Sequence, residues 1–319
     1  MLTWITDFLY SVIKLSAPIV FATLACDISR QAGVYNMSAE GNMLISALAS
    51  VVIAGMFNSV WAGLIGGVAV GVLMAAIIAY AHLIGKTNMY LTGLAFNTAA
   101  TGGTVFVMFM LCGEKTSTNA AIRSYTIPQI QIPIIDKIPV LGKILSGHYL
   151  LTYVALISVI LVWFMLKRTR LGLRMRSIAE NPQAAESVGI SVVKVRYISF
   201  LLSGLFAGLG GAYMSMAYVS FFSRGMVAGR GWIGVSAMNI ANGAPIGSSI
   251  AALFFGFTDT LSVSLQAFNI PIQFVNMIPY VATILALVIM NIVRIRREKA
   301  REKARLAKMQ EKEGSAVAH

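Results

Sequence analysis

The sequence predicts an all-α, polytopic membrane protein with eight to ten transmembrane helices, some of them short or broken. Three observations carry this. Of the 319 residues, 57% are hydrophobic and only 12% charged, where soluble domains approach a quarter charged. Mean hydropathy is +0.77. Six stretches reach the roughly 20 apolar helical residues that cross a hydrocarbon core of about 30 Å: residues 4–25, 61–84, 89–112, 149–166, 195–217 and 276–293.

The first stretch lacks a basic leading region, because Asp7 precedes Lys14, so it reads as a span and not as a cleaved signal peptide. Residues 26–41 hold Asp27, Arg30, Gln31, Asn36 and Glu40 and are too polar to face lipid. They form either a cytoplasmic loop, which puts the N-terminus outside, or a short buried helix, which puts it inside. The apolar run 42–56 is shorter but also crosses. Residues 113–148, with Pro128, Pro133 and Pro139, are the longest polar interruption and form an external loop. Residues 231–270 are apolar yet broken at Gly243-Ala244-Pro245, which predicts two short or broken helices. One membrane domain therefore covers 1–293, and 294–319 reads as a solvated basic tail.

The net charge of +13 is concentrated. Residues 167–196 hold seven Lys/Arg against two Glu, and residues 294–319 hold nine against four. Lys and Arg beside membrane spans are retained on the cytoplasmic side, so the loop 167–194 and the C-terminus should both face the cytoplasm. This accounts for the high pI without a nucleic-acid partner. Cys26 and Cys112 are far apart, and His82, His148 and His319 are scattered; the spacing offers no disulfide framework, metal set or catalytic constellation.

Two rows of small residues, Gly63-Gly67-Gly71 and Gly204-Gly208-Gly211, each make one smooth helix face. They serve close packing within the subunit or contact with a second one.

Within the loop 167–194 the chemistry of helix ends is legible. Asn181 is a good N-cap, Pro182 suits the first helical position, and Gly189 can end the helix in a left-handed conformation. A helix of about two turns is marginal alone in water. It is explained by docking on a cytoplasmic partner or, alternatively, by resting on the lipid surface.

The segment Glu180-Asn181-Pro182-x-Ala184-Ala185 followed by Gly189-Ile190 resembles the coupling loop of permease subunits in bacterial ABC importers of the ribose and branched-chain amino acid type. Asn36-Met37-Ser38-Ala39-Glu40-Gly41 is similar to that family's early Asn-x-x-x-Glu-Gly segment, and Leu202-Ser203-Gly204-x-x-Ala207-Gly208 to the helix after the coupling loop. Gly229-Arg230-Gly231-Trp232 with Pro245-Ile246-Gly247 resembles its broken-helix region. The resemblance covers residues 20–290 and leans toward the nucleoside-importer branch. It implies a second homologous permease, a cytoplasmic ABC ATPase gripping Glu180, Asn181, Pro182, Ala184, Ala185 and Gly189, and an external or lipid-anchored substrate-binding protein. ATP and Mg would belong to the ATPase, with no cofactor in this chain.

The chain itself has no phosphate-cradling segment. Its Gly85-Lys86-Thr87 has Tyr80 where a Walker glycine would stand. Polar groups inside spans are costly and therefore informative. Glu40, Asn42, Asn97, Asn239, Asn242 and Pro245 are the candidates for a substrate pathway, or they tie helices together by hydrogen bonds. Glu40 and Asp259 are too isolated for a proton relay. The leading function is a nucleoside permease subunit; a simple-sugar permease and an ion-coupled secondary transporter are the alternatives.

Overall fold

A bilayer offers no partner for a free backbone N–H or C=O, so apolar runs close their hydrogen bonds internally as helices. The computed structural model describes residues 2–123, 125–131, 141–266 and, of the last apolar stretch, 277–278, 281–286, 288–289, 291–292 and 295–296. The expected span 276–293 is described only in these pieces, and all of the tail 294–319 but residues 295–296 lies outside the described residues.

The helices are α1 (Leu2–Gln31), α2 (Ala39–Phe57), α3 (Val60–Leu83), α4 (Met89–Cys112), α5 (Leu141–Leu145), α6 (Leu150–Arg168), α7 (Arg170–Glu180), α8 (Pro182–Ser187), α9 (Val192–Tyr213), α10 (Arg230–Ile240) and α11 (Pro245–Leu265). A π-helical turn, Met214–Tyr218, prolongs α9. Among the described residues seven helices are long and apolar enough to cross a membrane, against the eight to ten expected.

α1 is the central post. In its spanning window 67% of residues are buried, against 22% in α4 at the periphery. α9, α10, α11 and α6 surround it. The stretch 26–31, expected as a loop or a separate short helix, instead continues α1, with Cys26, Asp27, Ile28 and Ser29 fully buried. Packing shields these polar residues from lipid, so the helix need not stop. Tyr10 Oη donates to Gly147 O (2.9 Å), and a Cβ on Gly33 would touch Ala179 Cα (3.0 Å). The N-terminus and α7 therefore lie at opposite faces of the bundle.

The glycine rows pack within the subunit. A Cβ at Gly63 or Gly67 would collide with Ser50, and one at Gly204 with Ala75 of α3, so α2, α3 and α9 meet at backbone distance. On the face bearing the N-terminus, strand Gln129–Ile130 (β1) pairs antiparallel with His148–Tyr149 (β2). Thr118 N–H donates to Phe222 O (2.9 Å) and Arg224 N–H to Thr116 O (3.0 Å), tying the 113–131 segment to the chain after α9.

Candidate functional site

Two helices begin inside the membrane and meet there. Gly234 of α10 packs on Ala22 and Thr23, eight to nine residues before the end of α1. At 1.5 Å per residue that is about 13 Å in from the α7 face. Gly41 of α2 packs on Asn97, eight residues, about 12 Å, into α4. Asn97 holds the start of α2 from two sides: its Oδ1 accepts from Gly41 N–H and its Nδ2 donates to Met37 O, both at 2.8 Å.

Glu40 faces the first turn of α10. Its Oε1 accepts from Gly229 N–H (2.9 Å) and its Oε2 from Gly231 N–H (2.7 Å). A carboxylate here satisfies orphan N–H groups and sits at the positive end of the helix dipole. Gly231 is obligatory, because a Cβ would strike the Glu40 backbone. Between those glycines Arg230 reaches Asp259 of α11 at 3.0 Å, its guanidinium 5.7 Å from the Tyr218 ring centroid. Glu40 and Asp259, read from sequence as isolated acids, thus flank one arginine. Carboxylates committed to an ion pair and to a helix cap form a structural clamp.

Asn239 and Asn242 are exposed, and Pro245 is buried as the first residue of α11. They occupy the opposite end of α10, at the α7 face, where Gly243 packs on Arg30 and accepts from Gln31 Nε2 (2.7 Å). The interruption that reaches mid-depth is instead the irregular stretch 219–229, which runs from the 116–118 contact to Glu40. Asn42 is fully buried, and its side-chain N and O have no protein partner. Asp27, which the sequence marks as polar but not as a pathway candidate, is also fully buried, and its Oδ1 accepts from Ser248 Oγ (2.8 Å) across α1 and α11. Its signal in the sequence is a charge just after the apolar run 4–25.

The second site is the corner after α6. Thr169 caps α7, its Oγ1 accepting from Gly172 N–H (3.3 Å), and a Cβ at Gly172 would collide with Met165 O and Leu166 O; the chain turns sharply at the membrane edge. Asn181 Oδ1 accepts from Ala184 N–H (3.1 Å) with Pro182 at the first turn of α8. Gly189 has φ +83, and Ile190 N–H closes the end on Ala185 O (3.0 Å). Ala185 is buried, while Glu180, Asn181, Ala184 and Glu186 are exposed and Val188 is 74% exposed.

A bundle of spanning helices with a mid-membrane junction and a capped helical corner on one face defines a membrane transport protein. Residues 8–293 match the family described as the branched-chain amino acid transport system permease component, and the chain belongs to that family of ABC transporter permeases. It is 36% identical over 283 residues to the guanosine ABC transporter permease protein NupQ of Bacillus subtilis, covering 85% of this chain and 88% of that one. It is 34% identical over 284 residues to the nucleoside ABC transporter permease protein NupC of Lactococcus lactis, again covering 85% and 88%. To the glucose ABC transporter permease protein TsgB13 of Haloferax volcanii it is 26% identical, covering 85% of this chain and 73% of that one.

Proposed function

We propose that this permease subunit forms the translocation pathway of an ATP-driven importer of nucleosides, together with a second homologous permease and separate ATPase subunits. The observation that carries the coupling half is α8. Six residues do not hold a helix in water, yet this one is capped at both ends and presents Glu180, Asn181, Ala184 and Val188 outward. An ATPase groove that receives Pro182–Ser187 supplies the missing partner, and the arginines of α7 support a cytoplasmic position for this face.

ATP and Mg²⁺ bind the ATPase. In this chain Gly85-Lys86-Thr87 closes α3 as a turn, with Lys86 at φ +52 and Thr87 N–H on Ala81 O (3.3 Å). Closure of the ATPase pair pushes α8, and α7 passes the motion to α6, α9 and α1, against which it packs; access then alternates between the faces. Glu40, Asn42 and Asn97 stand along the pathway at mid-depth, and Asn239, Asn242 and Pro245 at its cytoplasmic mouth. The nucleoside assignment rests on the guanosine and nucleoside permeases to which the chain is similar, and uncharged amides suit a neutral, hydroxyl-bearing solute. The glucose permease supports a second reading, simple sugars, since ribose presents the same hydroxyls.

The test is uptake into proteoliposomes holding both permeases, the ATPase and the external binding protein. ATP-dependent guanosine uptake is expected. Uptake of glucose alone would establish the sugar reading, and uptake driven by an ion gradient without ATPase would overturn both.

A further inference from the structure

One face of α2 carries Asn42, Ser46 and Ser50 at four-residue spacing, and all three are fully buried. Ser46 and Ser50 point into the seam with α3 and α9. A Cβ at Gly71 would meet Ser46 Oγ at 2.6 Å and Gly208 Cα at 2.9 Å; one at Gly67 would collide with Ser50 Oγ, and one at Gly211 with Met43 O. Ser50 Oγ donates to Ser46 O (2.8 Å). Asn42 Oδ1, Asn42 Nδ2 and Ser46 Oγ have no protein partner.

This arrangement is costly twice over. Buried polar groups without partners lose their hydration and gain nothing, and a seam this tight would pack equally well with alanine. The polar row also does not stop at α2. Ser38 donates to Asn36 Oδ1, and Asn36 Nδ2 donates to Ser203 Oγ of α9 (2.9 Å). The row begins beside the Glu40 clamp, at mid-membrane depth.

We infer that the Asn42–Ser46 face of α2 lines the aqueous route in a second conformation of the transporter, in which α2 separates from the glycine rows of α3 and α9. In that conformation the amide and hydroxyls meet water and the hydroxyl groups of a neutral solute. In the conformation described above, the seam is shut. Small residues on α3 and α9 let the helices close without side-chain interlock, which permits sliding or parting at low cost. The inference rests on the permease reading and extends it by adding Ser46 to the pathway.

Cysteine accessibility in the reconstituted importer tests this. In a background with Cys26→Ala and Cys112→Ser, Ser46→Cys and Asn42→Cys are probed with a membrane-impermeant thiosulfonate, nucleotide-free and trapped with ATP and vanadate, with exposed Lys86→Cys as the positive control. Labelling at least tenfold faster in one state than in the other is expected. Absence of labelling at both positions in every state, with the control reactive, would overturn the inference. Ser46→Ala supplies an independent check in the same assembly. It should leave the Tm unchanged or raised, because the hydroxyl has no partner in the closed seam; a lowered Tm would show the hydroxyl to be a structural bond and equally refute the proposal. Wild-type uptake in the same vesicles tests the permease reading separately, since its failure would remove transport altogether.

Discussion

At the scale of single residues, the mid-membrane junction depends on charges that have been given partners. Glu40→Gln keeps the shape of the side chain but replaces one acceptor oxygen by an NH₂ facing a backbone N–H. It should cost about 1–3 kcal/mol, read as a lowered Tm of the purified subunit in detergent; an unchanged Tm would remove the capping role. Arg230→Met strands Asp259 and should cost about 2–3 kcal/mol, less than the roughly 3–5 kcal/mol of a fully buried pair because both side chains retain some exposure. Arg230→Met with Asp259→Leu should recover part of that loss, and additive losses in the double variant would show that the pair does not act as a unit. On the N-terminal face, His148 is buried, stacks on Tyr10 with ring centroids 4.1 Å apart, and places Nε2 2.8 Å from Ile144 O. Burial holds its pKa below the ordinary value. The folded state therefore favours neutral imidazole: the unfolded chain binds the proton first as pH falls, so this contribution is complete above about pH 6.5 and declines below it. The protection factors of amides over residues 141–149, taken against the intrinsic exchange rate at each pH, should fall between pH 7.5 and 5.5, and His148→Gln should flatten that dependence. Equal pH dependence in wild type and variant would assign the effect to another group.

At the scale of elements, the legible parts of the fold are those decided locally. The spans follow from uninterrupted apolar length, and α8 was readable to the residue because Asn181, Pro182 and Gly189 each meet a backbone requirement within one turn. α10 was not resolved in the same way. Its start is set by Glu40, 189 positions away in sequence from Gly229, and no local pattern reveals such a cap. The continuation of α1 through Asp27 and Arg30 was illegible for the same reason: only burial against α10 and α11 makes a polar helix end acceptable inside the bundle. The candidate break at 243–245 was located correctly as a break, but its depth was unreadable, because composition does not say which end of α10 lies at the membrane surface. For α8 the consequence is testable. Gly189→Pro forces φ near −65° where the chain has +83, and Glu180→Ala removes an exposed carboxylate beside the cap. Both should depress ATP-driven uptake several-fold while substrate capture by the external binding protein persists. Normal uptake in both would remove α8 from coupling.

At the scale of the whole molecule, what matters is how a push on α8 reaches a junction at mid-membrane. The corner is rigid at each step: Gly172 lies against the last carbonyls of α6, and Gly33 lies against Ala179. Arg196 Nε donates to Ala32 O (3.3 Å), joining the start of α9 to the end of α1. α7 is thereby braced on the two helices, α1 and α9, that carry most of the buried core. By contrast α4 stands apart, and an apolar cleft of about 420 Å³ opens between it, α2 and α3, lined by Ile45, Met74, Phe96, Gly103 and Val107. The braced side transmits force and the cleft beside α4 has room to yield, so displacement should pass from α7 into α1 and α9 and be absorbed where α4 borders α2 and α3. Hydrogen exchange on the assembled importer separates this from a uniform rocking of the bundle. ATPase binding should protect residues 170–190 directly, whereas nucleotide trapping should change exchange at 36–46 and 226–234 and leave 150–160 unaltered. Equal change along every span would favour rigid rocking, and no change at 170–190 on ATPase binding would place the coupling surface elsewhere.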